Sequence, residues 1–90
     1  MDREFHAMLV VGFSDGVDRT SRAMFEERLT QLGWRKLTDA AWTLEFEPRS
    51  RATCADTVAL HLKLASEFAR IEASQRQAFV QFGDDGPAPV

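Results

Sequence analysis

Glu4–Phe13 reads EFHAMLVVGF, a run in which neither alternate set of residues is consistently polar. Phe5, Ala7, Leu9, Val11 and Phe13 form one set; His6, Met8, Val10 and Gly12 form the other. The alternation predicts a β-strand. A strand apolar on both sides belongs in the interior of its sheet, where both faces find cover. It ends in Ser14–Asp15–Gly16–Val17–Asp18, a corner rich in turn-forming residues, and a helical pattern begins at once. Over Asp18–Leu32 that pattern sets Phe25, Leu29 and Leu32 on one stripe beside Met24, and Gly33 follows as the residue that closes the helix.

Working outward, Trp34–Thr38 (WRKLT) and Ala41–Glu47 (AWTLEFE) read as short strands joined by a hairpin at Asp39–Ala40. In the second, Trp42, Leu44 and Phe46 point one way while Thr43, Glu45 and Glu47 point the other. Pro48–Ala52 reads as a loop, and Thr53 with Asp56 as a capping pair that opens a helix running to about Glu72. Its wide apolar face takes Val58, Leu60, Leu62, Leu64, Ala65, Phe68 and Ile71, with Lys63, Ser66, Glu67 and Arg70 opposite. Gln77–Phe82 (QAFVQF) is the last strand. The expectation is one domain over residues 1–83 and a flexible C-terminal tail over 84–90.

The order β-α-β-β-α-β is that of an α+β, ferredoxin-like two-layer sandwich, with an antiparallel sheet in the order 4-1-3-2. Both helices then cover one sheet face. The other face shows Met8 and Val10 of the middle strand, an apolar patch that calls for a partner on so small a domain. A homodimer with Met8 and Val10 at its interface is the expectation.

Composition narrows the field of functions. The net charge of −3 argues against a broad phosphate-tracking surface. Nine of the eleven basic residues are Arg, the side chain suited to two-pronged contacts with phosphate or carboxylate. A single cysteine, Cys54, excludes an intrachain disulfide and a cysteine-rich zinc site. No run is long and apolar enough to span a membrane, and the start, MDREFHAM, lacks the pattern of a secretory leader, so a cytoplasmic protein without membrane contact is expected.

In the expected topology the first loop, the hairpin turn and the last helix-to-strand loop share one sheet edge. Asp15, Asp18 and Asp39 would approach there as candidate catalytic carboxylates, with Asp15 as the metal ligand, since magnesium and manganese favour hard oxygen donors. The competing local reading has Asp15 or Asp18 capping the first helix and Asp39 filling a turn position. Arg19 and Arg22 lie near that edge, with Arg76. Arg49 and Arg51 belong to the opposite edge; all four of Arg19, Arg22, Arg49 and Arg51 are candidates for phosphate or partner contact. His61 reads as a hydrogen-bonded core or interface residue, Cys54 as a small residue in a first helical turn, and Trp34 and Trp42 as core.

The pattern of VVGFSD, a helix closing at Leu32–Gly33, a hairpin with AAWTLEF, a second helix and AFVQF resembles small CRISPR-associated nuclease and adaptor proteins. It is similar also to their ferredoxin-like relatives, the VapD-type and GhoS-type ribonucleases. The resemblance spans about residues 5–83 and implies a homodimer that binds RNA and cleaves it with a divalent metal, magnesium or manganese, at Asp15. The alternative is a protein-interaction or regulatory module without catalysis, whose partner is a protein.

Overall fold

The apolar first strand takes the centre of the sheet. In the computed structural model, which describes residues 3–49, 51–83 and 88–90, the chain runs β1 (Arg3–Phe13), α1 (Arg19–Gln31), β2 (Arg35–Lys36), β3 (Ala41–Arg49), α2 (Arg51–Ala69), β4 (Arg76–Phe82) and β5 (Ala88–Pro89). The sheet order is β2-β3-β1-β4-β5, and every neighbouring pair is antiparallel. Its first four strands give the ferredoxin-like 4-1-3-2 arrangement, with both helices on one face. Of the expected tail, residues 84–87 lie outside the described part, while Ala88–Pro89 pair with Phe79 and Val80 and extend the sheet by one strand.

The core lies between the helices and the sheet face that carries Ala7, Leu9 and Val11 of β1, Trp42 and Phe46 of β3, and Ala78, Val80 and Phe82 of β4. From the helices come Phe25 and Leu29 of α1 and Cys54, Val58, Leu62, Ala65 and Ala69 of α2. The α2 set follows helical spacing and makes one continuous stripe. That stripe is rotated from the expected one: Leu60 and Phe68 are exposed, whereas Ser66, expected on the outer side, is buried.

Both helices end by the same device. At α1 the Trp34 N–H reaches back to the Leu29 carbonyl at 3.0 Å, and Gly33 takes the left-handed φ of 102° that this reversal requires. At α2 the Ile71 N–H bonds the Ser66 carbonyl at 2.9 Å, and the left-handed residue is Arg70, with φ 57°. That turn stops α2 at Ala69, short of the expected Glu72, and Ala73–Gln75 form a 3-10 turn leading into β4.

The expected Pro48–Ala52 loop is largely replaced by strand. β1 is long enough to pair Arg3 with Arg49, and the register shifts by one residue between Phe5–Phe46 and Arg3–Arg49, a bulge in β3. Pro48 is tolerated because, among the described residues, β2 pairs only with Trp42 and Thr43 and no strand pairs with the outer side of β3 at Pro48. Helix α2 therefore starts at Arg51, and Thr53 sits inside its first turn, where its carbonyl accepts the Thr57 hydroxyl at 2.9 Å.

Candidate functional site

The three loops at the end of β1 do meet at one edge. The Ser14 N–H donates to the Gln75 carbonyl at 2.9 Å, and the Val11 N–H donates to the carbonyl of Ala40 in the hairpin turn at 2.9 Å. Val17 turns inward and is buried, which pins the corner to the core. The three aspartates gathered there have separate surroundings. Asp18 is the N-cap of α1, its carboxylate accepting the Ser21 N–H at 2.7 Å. That backbone hydrogen bond holds its pKa below the ordinary carboxylate value. Asp39 lies in the exposed hairpin, 4.0 Å from the Lys36 ammonium. Lys36 itself hydrogen-bonds Glu26 of α1, the main reason its pKa is raised, and lies over the Trp42 ring. Asp15 is exposed and makes no hydrogen bond or ion pair to a described residue. Among the described residues no group of three or more His, Cys, Asp and Glu side chains is placed to hold a metal ion.

The arginines divide between the two ends of the sheet. Arg19 and Arg22 open α1, and the Arg22 guanidinium stands 5.6 Å from the centre of the Phe13 ring. Arg49 lies opposite Arg3 at the far end of β3 and Arg51 begins α2; the side chains of both lie outside the described part. Sequence reasoning gave Arg76 no role of its own, yet it is half-buried beneath α2. Its Nε donates to the Ser66 hydroxyl at 2.8 Å. Desolvation pulls its pKa down, though a guanidinium keeps its charge at neutral pH. The sequence signal was the polar Ser66 one helical step from Leu62, on the stripe that packs inward.

The uncovered sheet face is the second candidate. Cross-strand partners share a face, so the register draws rows across it. One row is Leu37, Ala41, Val10, Phe79 and Pro89, since Val10 pairs with Ala41 and Phe79, Phe79 with Pro89, and the Leu37 N–H bonds the Ala41 carbonyl. The next is Arg35, Thr43, Met8 and Gln81. Beyond it His6 and Glu45 face each other, with Nδ1 and a carboxylate oxygen 3.5 Å apart. Met8, Val10, Leu37 and Phe79 are each more than 40% exposed, the expected interface pair enlarged to a patch. Alternation in QAFVQF already set Phe79 opposite Ala78 and Val80; Leu37 emerged only with the hairpin register.

The remaining candidates are structural. The Trp34 indole Nε1 donates to Nδ1 of His61 at 2.9 Å, tying the end of α1 to α2. Desolvation lowers the His61 pKa, which favours the neutral imidazole that this bond requires. Trp42 and Cys54 are buried in the core. Burial holds the Cys54 thiol away from any substrate. No family model, no curated protein and no solved structure matches this chain. Among the described residues no helix is long and apolar enough to cross a membrane.

Proposed function

We propose that this protein is a non-catalytic interaction module that pairs with a second copy of itself through its open sheet face. The observation that carries the reading is the apolar row Leu37–Ala41–Val10–Phe79 flanked by Met8. The strands hold 31 residues in all, and at about 3.3 Å along the strand by about 4.8 Å across they cover roughly 500 Å². Two such faces bury about 1,000 Å², the threshold for a specific interface. The described charges on this face are Arg35 and Glu45, one of each sign, so no like-charge field opposes pairing of identical copies. The same balance disfavours it as an RNA platform, as does the presence of Phe79 as the one exposed phenylalanine among the described residues of this face.

Sedimentation equilibrium of the full chain tests this. Wild type is expected at twice the monomer mass at micromolar concentration. Val10→Lys should weaken pairing by more than about thirtyfold, since it places an unpaired charge at the centre of the contact. A wild-type monomer overturns the proposal. So does a dimer that survives Val10→Lys and is dissociated instead by Leu60→Lys on the outer side of α2. Manganese-dependent cleavage of RNA, abolished by Asp15→Ala, would favour the metal-dependent ribonuclease over the non-catalytic module.

A further inference from the structure

We infer that the cavity between the end of β1 and the start of β4 binds a small oxyanion, gripped by Arg76 with Arg22 alongside. The cavity measures about 290 Å³ and is lined by Gly12, Phe13, Ser14, Ser74, Gln75, Arg76 and Gln77. That volume stands at the lower end of the range for small-molecule sites and suits a phosphate or a small carboxylic acid.

Three observations converge on an anion. First, Arg76 is half-buried, and no carboxylate of a described residue lies within ion-pair distance of it. At half burial the guanidinium has lost part of its hydration, and an anion would restore the partners that burial removed. Ser66 takes only Nε, which orients the plane of the guanidinium and leaves its two terminal nitrogens as a fork matched to two oxygens of one anion. Second, the hydroxyls of Ser14 and Ser74 and the side-chain amide of Gln77 make no hydrogen bond to a described residue, so further donors are at hand on the cavity wall. Third, α1 begins with Arg19 and Arg22 and has no acidic residue in its first turn. Cations there oppose the helix dipole. The Arg22 guanidinium nonetheless stands 5.6 Å from the centre of the Phe13 ring, and Phe13 lines the cavity, so Arg22 is the next cation that an anion held by Arg76 would meet. Of the nearby carboxylates, Asp18 is engaged by Ser21, and neither it nor Asp15 lines the cavity. The site lies on one subunit and does not depend on pairing of the sheet faces.

The test is a nitrogen-15 NMR titration of the full chain with sodium phosphate and, separately, sodium acetate, each against sodium chloride at equal ionic strength. Saturable shifts are expected at the amides of Ser14 and Ser74–Gln77 and at the Arg76 Nε–H. Saturation by phosphate alone assigns a phosphoryl ligand and by acetate alone a carboxylate. Arg76→Lys keeps the charge but loses the fork, and should weaken binding by about tenfold or more. Arg22→Gln, at an exposed position, should weaken it by a smaller factor. Shifts in both salts that match chloride or fail to saturate overturn the inference. Unchanged affinity in Arg76→Lys does so as well, and should that variant not fold, unchanged affinity in Arg22→Gln does.

Discussion

Acidification should weaken this fold through one hydrogen bond, that from the Trp34 indole to His61. Nδ1 accepts that bond at 2.9 Å, so protonating it sets a donor against a donor. Desolvation also lowers the His61 pKa from the ordinary 6.5. A folded-state pKa below the unfolded one means that this stability is complete above about pH 6.5 and declines as the pH falls toward the folded value. The slope cannot exceed about 1.4 kcal/mol per pH unit for one group, and solvent on the exposed side of the ring keeps it below that ceiling. Urea denaturation at half-unit steps from pH 8 to pH 5 measures it. His61→Gln keeps an acceptor that does not titrate, and should flatten the profile over that range. Trp34→Phe removes the donor and should cost about 1 kcal/mol or more at pH 7.5, the worth of the bond plus the shrunken ring. An acid-induced loss that persists unchanged in His61→Gln refutes the reasoning. So does a nitrogen-15 spectrum showing the proton on Nδ1 of His61 at neutral pH.

Leu29→Ala should destabilise the chain by about 2–5 kcal/mol in the same denaturation assay, since Leu29 is fully buried between α1 and the rest of the core. Asp18→Ala should lower stability at neutral pH by freeing the Ser21 N–H. With the Asp18 pKa depressed in the fold, that deficit should vanish as the pH falls through its folded value, which a paired pH series of the two proteins checks. Arg70→Gly relieves a side chain from φ 57° and should raise the unfolding free energy by up to about 1 kcal/mol. Gly33→Ala, at φ 102° with Leu44 Cδ1 3.4 Å from the new Cβ, should lower it by about 1 kcal/mol or more.

The fold was legible because its decisive features are local and periodic. EFHAMLVVGF is apolar at every phase of a strand, so it had to be interior, and the order of elements then left few ways to connect the sheet. Gly33 announced the end of α1 in the sequence, because a left-handed residue is ordinarily glycine. Arg70 performs the same reversal without that signal, and so the end of α2 was placed too late. The bulged end of β3 was hidden for a related reason: Pro48 reads as a break in isolation, and only the pairing of Arg3 with Arg49 keeps the strand going.

Sequence by itself thus determined the α+β class, the central position of β1, the cap at Gly33 and the exposure of Met8 and Val10. All of these follow from periodicity and from single-residue backbone preferences. Tertiary structure alone decided which distant polar groups become partners. Ser66 and Arg76, ten positions apart, meet at 2.8 Å, and Trp34 and His61, twenty-seven apart, meet at 2.9 Å, through the stacking of α2 on the sheet. It also gave Asp15, Asp18 and Asp39 one edge but three environments. Distance between side chains is a property of the packed layers, and no spacing along the chain encodes it.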